Sequence, residues 1–355
     1  MTRRTVRLLA TVTVALAVAG PLSACGDSAG GAGGAADTAT ELRLGYFPNI
    51  THAPALVGVE KGLFAEKLGG VKLSTATFNA GPSAIEALFS GAIDATYIGP
   101  NPAINGWAQS QGKALHIIAG STSGGAALVV KPAITSVADL KGKKIASPQL
   151  GNTQDVALRY WLKQNGLKTD AQGGGDVSIL PTANADIITA FGNGNLEGAW
   201  VPEPFLSRLV LEHGGKVLLD EKQEWKQTNG QFVTTHLIVR TEFLNQNPGL
   251  VRKLLEGHLA AVDYLNNSRA EAERTANKHI AALAGKPLPD KVVTASFDNL
   301  TFTADPVAAS LFDSAKHAQD VGLLKPVDLN GIYKLEILNE LLQAAGKPQV
   351  GGGKP

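Results

Sequence analysis

Two stretches of this chain, 103 residues apart, read alike without a gap, and that internal repeat restricts the fold more than any other feature. Residues 85–98 and 188–201 run through the same series of signals. An amphipathic helical stretch meets a glycine stop, Gly91 or Gly194. An acid follows, Asp94 or Glu197, and then a short apolar strand ending near an aromatic, Tyr97 or Trp200. Each copy then enters a Pro-rich loop, Gly99-Pro100-Asn101-Pro102 or Pro202-Glu203-Pro204. Upstream of each, residues 42–46 and 144–147 read as strands leading through a polar loop into a helix. The repeat predicts two similar α/β units, over 41–128 and 129–231.

Strands alternating with helices imply an open, mostly parallel sheet in each lobe, flanked by helices. Ligands of such sheets bind at the carboxyl ends of the strands, where loops pass to helix N-termini. Two similar lobes place two sets of these loops face to face. Residues 233–239 form a further apolar strand that returns the chain to the first lobe. Beyond it the pattern is helical over 250–265, 269–283, 306–321 and 332–345. Lobe one is therefore assigned residues 41–128 plus 232–345, lobe two 129–231, and residues 346–355 a flexible tail.

The N-terminus reads as a targeting segment. Arg3, Arg4 and Arg7 precede an apolar run over residues 8–20, too short to span a bilayer. Leu22-Ser23-Ala24-Cys25 follows and resembles the bacterial lipobox, with the chain's one cysteine at the position the motif requires. The resemblance implies that residues 1–24 are a lipoprotein signal peptide and that Cys25 is lipidated. Residues 25–40, rich in Gly, Ala, Asp and Thr, read as a flexible tether. The expected location is the extracytoplasmic face of a bacterial cell membrane, held by the lipid anchor. A single cysteine excludes a disulfide framework or a cysteine-based metal cluster. With 32 basic and 31 acidic residues there is no electrostatic footprint for nucleic acid.

Several loop positions suit a small polar ligand. Gly81-Pro82-Ser83 opens a helix after a strand, so free N–H groups, the helix dipole and the Ser83 hydroxyl make a site for an anion. Gly151-Asn152-Thr153-Gln154 does the same in lobe two, with Asn152 or Thr153 as N-cap. Asn101-Pro102 is a third such start. The long loop from Tyr46 to Pro54 carries Asn49 and His52, and Ser121 and Ser123 follow another strand. Trp200 and Glu203 end the second copy of the repeat. Enzyme signatures are missing: no nucleophile elbow, phosphate loop or HExxH occurs, and the seven histidines are scattered. The chain is read as a binder and not an enzyme, with no cofactor and no metal.

Leu44-Gly45-Tyr46-Phe47-Pro48-Asn49-Ile50-Thr51-His52-Ala53-Pro54, then Glu60-Lys61-Gly62-Leu63-Phe64, resembles the opening of substrate-binding proteins of aliphatic sulfonate, taurine and nitrate ABC importers. The likeness continues through Gly81-Pro82-Ser83, Asp139-Leu140-Lys141-Gly142-Lys143-Lys144-Ile145-Ala146 and Ala199-Trp200-Val201-Pro202-Glu203-Pro204, and covers residues 41–345. It implies a type II periplasmic-binding-protein fold whose lobes are joined by two crossovers, near Ala127–Val129 and Thr234–His236, and close around ligand. It also implies delivery to an ABC transporter permease by a protein acting as a monomer. A sulfonate is a fixed monoanion, which needs hydrogen-bond donors more than a countercharge. The anionic head is assigned to Gly81, Ser83, Ser123, Asn152 and Thr153, and the organic tail to Tyr46, His52 and Trp200. Glu203 either receives a ligand amine or repels a second negative charge. Nitrate, taurine and pyrimidine-type vitamin precursors remain alternatives to the sulfonate, with an extracytoplasmic enzyme on the same scaffold behind them.

Overall fold

The computed structural model describes residues 37–353, so the signal peptide, Cys25 and most of the tether lie outside the described residues. Two sheets carry the fold. The first contains β1 (Glu41–Tyr46), β2 (Lys72–Thr77), β3 (Ala95–Ile98), β4 (Leu115–Gly124), β10 (Val233–Arg240) and β11 (Leu300–Phe302), in the order β11-β4-β10-β3-β1-β2. The second contains β5 (Ala126–Val130), β6 (Lys144–Pro148), β7 (Ser178–Thr182), β8 (Gly198–Pro202) and β9 (Lys216–Asp220), in the order β7-β6-β8-β5-β9. In both, the first strand of the unit pairs in parallel with its neighbours, and one strand arriving from the other lobe runs antiparallel.

The helices of lobe one are α1 (Ala53–Glu60), α2 (Leu63–Leu68), α3 (Gly81–Phe89) and α4 (Pro100–Gln109). Lobe two carries α5 (Thr153–Gln164), α6 (Asn184–Gly192) and α7 (Phe205–His213). After β10 come α8 (Thr241–Gln246), α9 (Pro248–Asn267), α10 (Arg269–Ala284), α11 (Asp290–Asp298), α12 (Ala308–Asp320) and α13 (Glu336–Ala344). Helix α11 and strand β11 have no counterpart in the helical periods read from the sequence. Both are short, and β11 is a three-residue edge strand.

Each sheet is covered on both faces, as a mixed sheet of apolar strands requires. Leu42, Leu44, Phe64, Leu254 and Ile280 fill the layer between the first sheet and α1, α2, α9 and α10. Ile98, Ile104, Trp107, Ile238 and Leu311 fill the opposite layer under α3, α4 and α12. In lobe two Ile145, Leu158, Trp161 and Trp200 pack beneath α5, and Val129, Ile187, Phe191 and Val201 pack beneath α6 and α7.

The repeat is visible atom by atom. Helices α3 and α6 both begin and end 103 residues apart. Asp94 accepts the backbone N–H of Arg43 at 2.9 Å, and Glu197 accepts that of Lys144 at 2.9 Å. Each acid therefore ties the strand after the glycine stop to the first strand of its own lobe.

The chain passes between the sheets twice, at Gly124 and Gly125 before β5, and between β9 and β10. Both glycines sit at positive φ (+82° and +71°), and a Cβ on Gly125 would meet Leu300 at 2.2 Å. Ala127–Val129 lies inside β5 and Thr234–His236 inside β10, so each passage falls just ahead of the position read from the sequence.

Two segments read as flexible are docked where they are described. Asn247 Oδ1 accepts the N–H groups of Thr38 and Ala39, both at 2.8 Å, and Asp37 accepts that of Gly249. Near the other end, Asn339 exchanges two hydrogen bonds with Val350, at 2.8 and 3.0 Å. Single asparagine amides stand in for a strand partner here. Such anchors leave no periodic signal in the tethered segment itself.

Candidate functional site

The loops at the carboxyl ends of both sheets meet in a small chamber between the lobes. From lobe one it is walled by Phe47, Asn49, Thr51 and His52 of the β1–α1 loop, by Asn79 ahead of α3, and by Gly99 and Pro102 at the start of α4. Lobe two supplies Gln149 and Asn152 between β6 and α5, Thr153 and Gln154 at the start of α5, and Asn184 at the first position of α6. Thr234 and Thr235 of β10 close the floor. The chamber is about 40 Å³, where one water needs roughly 10–15 Å³. No charged side chain lines it.

Its positive potential comes from the backbone instead. Helices α3, α4, α5 and α6 all start at this cleft, and none of their N-cap residues makes a side-chain capping bond. Pro100 and Pro102 of α4 and Pro82 of α3 carry no N–H, so the first-turn N–H groups left for another acceptor belong mainly to α5 and α6. Asn152 stands at the N-cap of α5, but its amide donates to Gln149 Oε1 at 3.0 Å.

His52 adds a neutral donor. Its Nδ1 accepts the Phe47 N–H at 3.3 Å, and the ring stacks on Phe47 at 4.6 Å. Burial pushes its pKa down to about 3, so the ring is neutral with its proton on Nε2. Two wall atoms are buried without a hydrogen-bond partner: Thr235 Oγ1 and Asn184 Oδ1. Unpaired polar atoms of this kind are costly unless a ligand meets them.

A larger space of about 440 Å³ shares Phe47, Asn49, Asn79 and Asn184 with the chamber. Its further walls are mostly apolar, with Phe78, Pro204, Phe205, Ile280 and Leu288, and it carries one cation, Arg208, and one acid, Asp186. Arg208 is already paired with Glu212 at 2.9 Å.

Of the residues singled out from sequence, the structure brings Asn49, His52, Asn152 and Thr153 together on the chamber wall. Gly81 lies where the lobes nearly touch, since a Cβ there would come within 2.8 Å of Asn152 Oδ1. The others fall elsewhere. Tyr46 points into the core of lobe one, its hydroxyl 2.8 Å from His279 Nε2; it is Phe47, one strand step on, that faces the cleft. Pro82 and Ser83, at the second and third positions of α3, are exposed. Asn101 donates to the Ser314 carbonyl. Ser121 is buried off the wall, and Ser123 accepts the Phe232 N–H while lining a separate cavity behind the crossovers.

Trp200 is enclosed beneath α5, with its indole donating to Glu221 at 2.7 Å. Glu203 is fully buried, and its two oxygens take four donors: Ser207 N–H and Oγ, Ser296 Oγ and Asn299 Nδ2. Burial pushes its carboxyl up against the pull of those donors. Glu203 does not line the chamber, so the structure does not bring it to the ligand site in either of its two readings.

Sequence reasoning passed over Asn79, Asn184 and Thr235. Asn184 carried a signal, because it is the repeat mate of Gly81. Among the described residues no cluster of His, Cys, Asp and Glu has metal-holding geometry, and no helix is long and apolar enough to cross a membrane.

The family model for the NMT1-like family matches residues 35–281. The chain is 29% identical over 244 residues to the taurine-binding periplasmic protein of Escherichia coli, covering 67% of this chain and 71% of that protein. It is 29% identical over 272 residues to a putative aliphatic sulfonates-binding protein of Bacillus subtilis, covering 73% and 75%. The solved alkanesulfonate-binding protein SsuA of Xanthomonas axonopodis pv. citri, bound to MOPS, superposes with a TM-score of 0.70 at 23% identity, over 85% of this chain and 100% of that one. The architecture is that of a periplasmic binding protein.

Proposed function

The chain belongs to the NMT1-like family, and from that premise we propose that it is the solute-binding protein of an ABC importer for a small organic anion, an aliphatic sulfonate. In this reading it is a monomer anchored through a lipidated Cys25 to the extracytoplasmic face of a bacterial membrane. It captures the anion by closing lobe one onto lobe two, and hands it to the permease.

The observation that carries the reading is the composition of the chamber. Uncapped helix starts from both lobes, a neutral His52 and the orphaned Thr235 hydroxyl surround it, with no cation and no acid on the wall. Such a wall stabilises one negative charge by several partial ones. A dianion would need a formal countercharge, which is missing. The adjoining apolar space suits a carbon chain on the same anion. That space favours a sulfonate over nitrate, which would leave it idle.

Calorimetric titration of residues 37–353 with methanesulfonate, butanesulfonate, taurine and nitrate tests the proposal. One-to-one binding of the alkanesulfonates, tighter for the longer chain, is the expected result. Thr235→Val should weaken it by about 1.5–3 kcal/mol by removing a donor to a charged group. Binding of nitrate alone would move the assignment to inorganic anions, and silence from every anion would overturn it.

A further inference from the structure

Behind the chamber wall in lobe two lies a buried ion pair that touches no part of the cavity. Asp155, at the third position of α5, is fully buried, and Arg159 one turn on is 1% exposed. Arg159 Nε donates to both carboxylate oxygens of Asp155, at 3.0 and 3.1 Å, and its Nη1 donates to the Asp170 carbonyl at 2.6 Å. The carboxylate does more than hold its partner. Oδ1 accepts the hydroxyl of Ser147, the penultimate residue of β6, at 2.7 Å, and Oδ2 accepts the N–H of Gly151 at 3.0 Å. The two anchored residues bracket the turn that carries Gln149 and leads into Asn152, Thr153 and Gln154, which supply lobe two's largest share of the wall. Gly151 turns through positive φ (+76°), and its carbonyl accepts from Asn105 Nδ2 of lobe one at 3.4 Å.

We infer that Asp155 is a positioning residue for the anion site, holding the Ser147–Gly151 turn from behind so that the first-turn N–H groups of α5 face the chamber. Arg159 makes this tolerable. A bare carboxylate within the first turn of α5 would oppose the anion that the turn receives, and the paired guanidinium cancels its charge from inside the lobe. The site thus keeps a formally neutral surroundings without placing a cation on its wall. This rests on the reading of the chamber as an anion site.

The inference is opposite in sign to a charge-only account, which makes it testable. Asp155→Asn removes a negative charge near the site and leaves Arg159 uncompensated. By charge alone it should tighten butanesulfonate binding. By positioning it should weaken it, because an amide offers one acceptor where the carboxylate serves Ser147, Gly151 and Arg159 together. The expected result is at least a tenfold rise in Kd, with faster amide hydrogen exchange at the hydrogen-bonded N–H groups of the turn, Gly151, Asn152 and Val156, and unchanged protection in the β8 strand. Equal or tighter binding, or unchanged exchange in that turn, would overturn it. Ser147→Ala keeps the ion pair and covers the case in which Asp155→Asn does not fold. It should raise Kd two- to fivefold with the same local pattern of exchange, and no change in either measurement counts against the proposal. If wild-type protein binds no sulfonate, the function proposed above fails, while the exchange pattern still decides whether Asp155 holds the turn.

Discussion

Glu221 gives the sharpest energetic prediction. It is 2% exposed, at the start of the passage from β9 back to β10, with its carboxylate between two indoles. Trp200 Nε1 donates to it at 2.7 Å and Trp225 Nε1 at 3.4 Å. Burial raises its pKa from an ordinary 4.5 to about 7; the two indole hydrogen bonds resist, while Asp220 and Glu224 add repulsion. The folded state therefore holds this proton more tightly than the unfolded chain. The stability this confers is full below about 4.5 and is lost as pH rises through about 7. A gap of that size corresponds to about 3 kcal/mol. Glu221→Gln supplies a permanently neutral isostere that still accepts from Trp200. Urea unfolding of wild type and variant, followed by far-ultraviolet circular dichroism between pH 5 and 8.5, reads the difference, and groups common to both proteins cancel in it. The two should be equal within about 1 kcal/mol at pH 5, the variant becoming the more stable by about 3 kcal/mol at pH 8.5. A difference that does not change with pH would mean that the carboxylate stays charged in the fold at no cost, and the reasoning from burial would be refuted.

Three further outcomes follow from the geometry. Because His52 is pushed down to about 3 and no carboxylate lines the chamber, sulfonate affinity should be flat between pH 6 and 8; calorimetric Kd values that tighten as pH falls through 6.5 would show that an imidazolium binds the ligand. Gly81→Ala puts a Cβ 2.2 Å from Pro102 within lobe one and 2.8 Å from Asn152 Oδ1 across the cleft, so affinity should drop about tenfold, or about 1.4 kcal/mol; a Kd within twofold of wild type would show that closure tolerates the methyl group. Asp94 takes the Arg43 N–H, the Arg43 guanidinium and Arg240, so Asp94→Ala should lower stability by about 2–3 kcal/mol in thermal unfolding while leaving ligand affinity unchanged.

The lobes were legible because the repeat states its own registration. A glycine stop and an acid at fixed spacing mark where a helix ends and a strand begins, and Asp94 and Glu197 make the same backbone bond in each copy. The helix starts at the cleft were legible for the same reason, and adding the offset to Gly81 reaches Asn184. Side-chain direction was not legible. Tyr46 and Phe47 are adjacent at a strand end, and which of them faces the cleft depends on where the pleat stops. Trp200 sits in the middle of a fully buried strand whose two faces are both apolar, so nothing local says that its indole turns beneath α5 toward Glu221. Thr235 lies within an eight-residue buried run whose threonines look alike until the neighbouring strands are known. Glu203 misled because a charge in a Pro-rich loop reads as exposed, whereas Ser296 and Asn299, over ninety residues away, bury it.

The division of the wall between lobes explains why a carrier should use helix ends instead of cations. Lobe one brings His52, Asn79 and the start of α4; lobe two brings the starts of α5 and α6, and neither set encloses the chamber alone. Under the proposed function, binding and closure are one event, since an anion gains its full set of donors only when both lobes reach it. The same wall also makes release cheap. A buried lysine or arginine would hold an anion more strongly, but its departure would strand an unpaired charge in a dry cleft at a cost of several kcal/mol. Helix N–H groups and hydroxyls ask only for water when the lobes part. A neutral cradle therefore keeps the empty and loaded states close in energy, which suits a protein that must give up what it captures.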